Sequence, residues 1–152
     1  METLEQKKRR LYGKQDMPKY LEELRTILLI QVDQSNLLSI PKTDLIRKNN
    51  LAKQLRCTCK ILFTDKVKLR RILLSGNYDS TNIENYFLFT SYSKDCGAVQ
   101  IGSLNNFNFD FQFLSVTAGI ITLTREDLCK EVVLDFYEEA EKEYLEVKEY
   151  EK

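Results

Sequence analysis

Apolar residues recur at every third or fourth position in the first half of the chain, a spacing that predicts helices. The first predicted helix covers residues 16–31, where Asp16 is a candidate N-cap and Pro18 falls in the first turn. Two more helical patterns cover residues 39–55 and 64–76. The sequence therefore predicts three helices in this half.

A short apolar segment interrupts the helical half. The stretch "CTCKILF" (57–63) fits either an extension of the second helix or a short strand, and its pattern leaves both alternatives open. In the second helix, Pro41 breaks the chain and Thr43 is a candidate cap. The third helix is predicted to end at Gly76, because glycine accepts the positive φ of a helix C-terminus.

The second half changes to an alternating pattern, which predicts strands. The clearest alternation is "FNFDFQFLSV", where phenylalanines point one way and polar residues the other. Short links, including "NN" as a tight hairpin, favour an antiparallel meander. The four predicted strands cover residues 85–92, 98–104, 107–116 and 120–124.

The C-terminal segment is predicted to form an amphipathic helix packed on the phenylalanine face of that sheet. Leu128, Val132, Phe136 and Ala140 lie four residues apart and form an apolar stripe. Residues 144–150 also alternate like a strand, but no glycine or proline separates them from the helix, so continued helix is favoured.

The overall prediction is one α+β domain over residues 1–152. It consists of N-terminal helices, a four-stranded antiparallel meander and a closing C-terminal helix. The helical part is assigned to residues 16–76, and the β-rich part with its closing helix to residues 84–150.

Charge is distributed unequally along the chain. Residues 1–76 contain 17 Lys and Arg against 8 Asp and Glu, whereas residues 77–152 contain 6 against 15. Such asymmetry indicates either a charged partner for one half or two halves that neutralise each other.

The composition excludes several kinds of chemistry. The chain has no histidine, which removes His-dependent triads, general bases and metal ligands. The five glycines form no phosphate-binding loop, and the four cysteines lack zinc-site spacing and are expected to be reduced and buried. We therefore expect a non-enzymatic protein without metal or cofactor. Since no apolar run reaches membrane length and the N-terminus lacks a secretory pattern, we expect a cytoplasmic protein with no membrane partner.

The acidic C-terminal segment is the leading candidate for a partner-binding surface. Residues 126–152 contain 11 Asp and Glu against 4 Lys. A helix with its apolar stripe on the sheet would turn the carboxylates toward solvent, where they would steer a basic protein partner, although a merely solvated face fits the same pattern. The predicted contacts are Asp135, Glu138, Glu139, Glu143 and Glu146, with Tyr137 and Tyr144 as aromatic anchors.

A small nucleic-acid-binding regulator is the alternative. It would use Lys66, Lys68, Arg70 and Arg71 on the third predicted helix. Residues 49–73 loosely resemble a helix-turn-helix, but the turn lacks the expected glycine and is too apolar.

The meander that ends in "GIITLTREDLCKEVVLDFYEE" resembles, over residues 85–145, the immunity proteins of bacterial contact-dependent inhibition and polymorphic toxin systems. The resemblance implies a non-catalytic protein that neutralises a cognate toxin by covering its active site or another essential surface. Many such toxins are nucleases with basic clefts, which an acidic face would suit. The basic first half is a departure from this pattern. The sequence does not indicate the oligomeric state.

Overall fold

The computed structural model describes residues 1–50, 52–74, 85–111 and 119–152, and shows an α+β fold built on one six-stranded antiparallel sheet. The helices are α1 (Leu4–Gly13), α2 (Met17–Ile27), α3 (Ile40–Asn49), α4 (Lys66–Leu74) and the single turn α5 (Ser93–Cys96). The strands are β1 (Gln54–Leu62), β2 (Tyr86–Phe89), β3 (Val99–Gly102), β4 (Ile120–Arg125), β5 (Lys130–Glu139) and β6 (Lys142–Glu151).

The order of strands across the sheet is β1-β6-β5-β4-β2-β3, and every pairing is antiparallel. The last three strands of the chain form a continuous meander, and β1 from the helical half adds to its outer edge beside β6. The prediction of four strands is therefore wrong, although the antiparallel arrangement is confirmed.

The predicted C-terminal helix is also wrong, because its residues form the hairpin β5–β6. Alternate side chains of β5 are buried, including Val132, Leu134 and Phe136, as expected for a strand with one face against a core. The reversal occurs at Ala140 and Glu141, whose φ values of 51° and 64° are those of a tight hairpin turn. Neither position is a glycine or proline, so no residue here indicates a turn locally.

The second predicted helix is too long. α3 ends at Asn49, and residues 54–62 form β1, so the ambiguous "CTCKILF" segment is largely a strand. The cap of this helix is Ser39 and not the predicted Thr43, since the hydroxyl of Ser39 accepts a hydrogen bond from the Lys42 amide. Thr43 is instead buried, and its hydroxyl accepts a hydrogen bond from the amide of Ala98.

The phenylalanine-rich segment does not form the predicted strand in its described part. Residues 107–111 contain only an isolated bridge, between Phe107 and Leu28, and "NN" belongs to a 3₁₀ turn, Leu104–Asn106, rather than to a hairpin. Phe107, Phe109 and Phe111 are nevertheless buried, as their alternation suggested. The remainder of the predicted strand through residue 116, and Gly76 at the predicted end of the third helix, lie outside the described residues.

One hydrophobic cluster joins the helices to the sheet. α2 contributes Tyr20, Leu24 and Ile27, and α4 contributes Leu69 and Leu73. These side chains pack against one face of the sheet, which we call the core face. Its buried residues on the strands are Ile61, Tyr86, Leu88, Val99, Ile101, Ile121, Leu123, Val132, Leu134, Phe136, Leu145 and Val147.

The cysteines are free thiols but are not uniformly buried. Cys96 is buried, Cys59 and Cys129 are partly exposed, and Cys57 is exposed on β1. The expectation of buried cysteines is therefore confirmed for Cys96 and wrong for Cys57, which lies on the edge strand β1. Cys59 packs partly buried against the core, and Cys129 is only partly buried. Within the described residues, no helix has the length and apolarity needed to cross a bilayer.

Candidate protein-binding surface

The predicted contact residues are divided by the pleat of the hairpin. Side chains of a strand alternate between faces, and the β5–β6 register pairs Asp135 with Glu146 and Tyr137 with Tyr144. Glu138 and Glu143 are paired with each other on the opposite side of the sheet. Five of the seven predicted residues therefore share one face: Asp135, Tyr137, Glu139, Tyr144 and Glu146.

Strand β1 adds two side chains to this face that sequence reasoning did not single out. Lys60 is paired with Glu146, and Leu62 is paired with Tyr144. We call the surface formed by these seven residues the tyrosine face: Lys60, Leu62, Asp135, Tyr137, Glu139, Tyr144 and Glu146. The alternation within "CTCKILF" was the available signal for Lys60 and Leu62, but only a strand interpretation would have used it.

The two tyrosines form a stacked pair at the centre of the tyrosine face. The ring centroids of Tyr137 and Tyr144 are 5.9 Å apart, with an interplanar angle of 25°. The Nζ atom of Lys60 lies 4.4 Å from the Tyr144 centroid and 5.6 Å from the Tyr137 centroid. It also donates a hydrogen bond of 2.7 Å to Glu139. These contacts hold two half-buried aromatic rings in a fixed orientation at the surface.

The charges of this face are largely balanced. Lys60 is bonded to Glu139, and the ammonium of Lys148 lies 3.3 Å from the carboxylate of Glu146. The hydrogen bond from each lysine to its carboxylate raises the pKa of Lys60 and of Lys148. The continuous acidic helix face on which the prediction depended does not exist, because the segment is a hairpin and cations from neighbouring strands intervene.

Exposed aliphatic residues extend the tyrosine face along the sheet. Leu62 is 44% exposed beside Tyr144, and Ile120 is 47% exposed beside Asp135. Leu55 is 53% exposed near the other end of β1, beside Tyr150. Apolar side chains with this much exposure, around an aromatic pair and within a charged border, are typical of a protein-binding surface.

The same side of the sheet is covered at its other end, near β2. Phe87 and Phe89 are buried there with Ala98, and Ile46 of α3 packs on them. The amide of Asn50, which follows α3, donates a hydrogen bond of 3.3 Å to Glu131. Thus α3 closes the β2 end of this side, and the tyrosine face occupies the end near β1 and β6.

The four cations of the alternative prediction lie on α4 and differ in exposure, since Lys66 is partly buried and the other three are exposed. The Nζ atom of Lys66 is 3.3 Å from the ring centroid of Phe63 and donates a hydrogen bond of 3.2 Å to the carbonyl oxygen of Phe111. Burial lowers the pKa of Lys66 to about 8. Arg70 lies over another ring, that of Phe109, at 5.6 Å, but it is exposed, as are Lys68 and Arg71.

The helix-turn-helix resemblance is wrong. The nine-residue strand β1 separates α3 from α4, so the two helices are not joined by a short turn. The chain therefore does not present α4 as the second helix of such a motif.

Comparison with known proteins adds no further constraint on this surface. No protein-family model, no curated protein sequence and no solved structure matches the chain.

Proposed function

We propose that this protein is a non-catalytic inhibitor that binds another protein through the tyrosine face. The partner that the sequence resemblance implies is a cognate bacterial toxin, such as a nuclease. Inhibition would result from covering the toxin's active site or another surface that it needs. The protein would then act as an immunity protein.

The stacked pair of Tyr137 and Tyr144 is the observation that carries this proposal. Tyrosine is enriched among the residues that dominate binding energy at protein interfaces. Here the two rings are half-buried and are held by each other and by Lys60, so little side-chain entropy remains to be lost on binding. Leu62 provides exposed apolar surface next to the rings.

The balanced charges change the role that electrostatics would have. A purely acidic surface would mainly accelerate the encounter with a basic partner, whereas a mixed border discriminates between partners and sets their orientation. Glu139 and Glu146 already have cationic neighbours within the chain. Asp135 lies between the tyrosines and Ile120 and has no ion pair among the described residues, which makes it the carboxylate best placed to meet a partner's cation.

Nucleic-acid binding through α4 is the second candidate and predicts affinity that falls steeply with salt. The position of Lys66 against Phe63 argues against it, because an ammonium group that packs on a ring and bonds to a carbonyl is less available to phosphates. Lys68, Arg70 and Arg71 remain exposed and would give a weak, sequence-independent attraction.

The test is capture of the partner followed by disruption of the tyrosine pair. Tagged protein is co-expressed with its neighbouring genes, purified at low and moderate salt, and the bound protein is identified and assayed for toxicity. With that partner in hand, we expect Tyr137→Ala with Tyr144→Ala to weaken binding by at least about 30-fold, as loss of a central aromatic anchor does.

Tyr150→Ala is the matched control. It removes a half-buried tyrosine from the same face and strand, about 20 Å from Tyr144 at the usual rise of a strand. Wild-type affinity in the Tyr137 and Tyr144 variant, or recovery of nucleic acid without a stoichiometric protein, would contradict the proposal.

A further inference from the structure

Helix α1 is attached to the rest of the protein through its polar residues. Its start is fixed by a capping box between Thr3 and Gln6. Gln6 and Arg9 both bond to Asp44 of α3. At the end of the helix, Gly13 is buried so closely against α5 that a Cβ atom there would clash with the carbonyl oxygen of Asp95.

The apolar residues of α1 consequently point away from the protein. Leu4 is 71% exposed, Leu11 is 46% exposed and Tyr12 is 68% exposed. Leu4, Lys7, Lys8 and Leu11 have the i, i+3, i+4, i+7 spacing of one helix face, and Tyr12 borders it. We call these five residues the α1 face. An amphipathic helix usually turns its apolar side to the core, so this inverted arrangement leaves a cationic, partly apolar face without a partner among the described residues.

The hairpin end of the sheet has the complementary properties. Here the tip of β5–β6 carries Glu138, Glu141 and Lys142, all exposed. The stacked rings of Tyr137 and Tyr144 and the exposed Leu62 lie on one side of this tip, and Glu138 lies on the other side. Glutamates thus outnumber lysines at this end, whereas lysines lie among leucines on the α1 face. The charged residues here are Glu138, Glu139, Glu141 and Glu143 against Lys60 and Lys142.

The two surfaces do not neutralise each other within one molecule. Among the described residues, the ion pairs of α1 go to Glu2 and Asp44, and neither Lys7 nor Lys8 forms one. The contacts of α1 are mainly with α3 and α5, whereas the hairpin pairs with β1. Each surface is therefore available to a second copy of the chain.

We infer that the α1 face of one copy docks on the hairpin end of a second copy. The contact joins two different surfaces, so each copy keeps one surface of each kind free, and the association is head-to-tail. The formal net charge of zero removes the long-range repulsion that would otherwise oppose it. Because the hairpin end includes Tyr137 and Tyr144, a docked copy would compete with the proposed partner for the tyrosine face.

Charge reversal on each surface gives a decisive test by sedimentation velocity. At low salt and rising concentration, we expect wild-type protein to form species larger than a monomer, which dissociate at high salt. Lys7→Glu with Lys8→Glu, and separately Glu138→Lys with Glu141→Lys, should each weaken self-association at least tenfold. An equimolar mixture of the two variants should regain self-association, because each retains the surface that the other has lost and the two reversed surfaces are again opposite in charge.

The control is Lys42→Glu with Lys48→Glu, which makes the same change of charge on exposed positions of the neighbouring helix α3. This control should change the strength of self-association less than threefold. Wild-type protein that stays monomeric at low salt would overturn the inference. So would equal weakening by the α3 control, or a mixture of the two variants that fails to assemble.

This experiment uses the chain alone, so its outcome is separate from that of the partner capture. Failure of self-association leaves the proposed inhibitor function intact. Conversely, head-to-tail assembly without any captured toxin would leave the self-association inference standing and remove support only from the proposed function.

Discussion

The two faces of the C-terminal hairpin show how one pair of strands serves two purposes. On the core face, Leu134 and Leu145 are fully buried beneath the helices. On the other face, Val133, Tyr137 and Lys148 are only half-buried. Successive residues of a strand point to opposite faces, so residues next to each other in the sequence lie in different environments.

The core face also determines which residues reach the tyrosine face. A shift of one residue in the strand pairing would exchange the two sets of side chains and place Asp135 and Glu146 in the apolar core. Burying unpaired carboxylates there would cost several kcal/mol, so burial of the leucines and valines enforces the register. The residues on the tyrosine face can then serve binding, because packing of the core does not depend on them.

The largest expected effect comes from truncating neighbouring residues on opposite faces. Leu134→Ala should lower the free energy of unfolding by about 2–5 kcal/mol, because it leaves a cavity among fully buried side chains. Val133→Ala, one residue away but half-buried, should cost about 1 kcal/mol or less. Chemical denaturation of both variants provides the measurement, and equal losses would mean that the two faces are equally packed.

A second test strengthens the hairpin without altering either face. Ala140 and Glu141 both have positive φ, which suits asparagine and glycine better than the present residues. Ala140→Asn with Glu141→Gly should raise the free energy of unfolding by about 1 kcal/mol, measured by thermal or chemical denaturation. Glu143→Gly, which places glycine inside β6, should instead lower it, and stabilisation by both changes would refute the turn assignment.

The smallest expected effect distinguishes two lysines that each lie over aromatic rings. Burial lowers the pKa of Lys66 to about 8, while the hydrogen bond to Glu139 raises the pKa of Lys60. For Lys66, the unfolded chain binds the proton more tightly, so stability should increase as pH rises from about 8 toward 10.5. The contribution of Lys60 to stability changes with pH in the opposite direction. It is fully present below the ordinary lysine pKa, and it is lost as pH rises through the raised pKa of Lys60 in the folded protein.

Single substitutions separate these two contributions. The free energy of unfolding is measured by denaturation across this pH range for wild-type protein, Lys66→Met and Lys60→Met. It should rise more steeply with pH for wild type than for Lys66→Met. The decrease in the free energy of unfolding that Lys60→Met causes should become smaller at the highest pH values. Parallel curves for all three proteins would show that neither lysine has a shifted pKa.

The C-terminal segment shows where sequence patterns become ambiguous. Val132 and Phe136 belong both to a stripe of four-residue spacing and to the alternation Val132, Leu134, Phe136. Glutamate, leucine and lysine favour a helix locally, and the turn at Ala140 and Glu141 carries no breaker residue. The strand prevails because β5 gains hydrogen bonds and packing from β4 and β6 on its two sides.

Part of the tyrosine face was predictable even though the helix prediction was wrong. Tyr137 and Tyr144 are seven residues apart, which places them on one side of a helix and also, with a two-residue turn, directly opposite each other in a hairpin. The position of Lys60 beside the tyrosines was not predictable, since it depends on the pairing of β6 with β1, a strand distant in sequence. Helix α1 was missed as well, although Thr3 and Gln6 have the spacing of a capping box.

The sequence by itself determined the elements whose hydrogen bonds and buried face are local. In α2, the spacing of Tyr20, Leu24 and Ile27 was enough, because a helix satisfies its backbone within one segment. Only the tertiary structure decided the conformation of β1, β5 and β6. A strand obtains its hydrogen bonds from other strands, so its stability depends on residues that the local pattern does not contain.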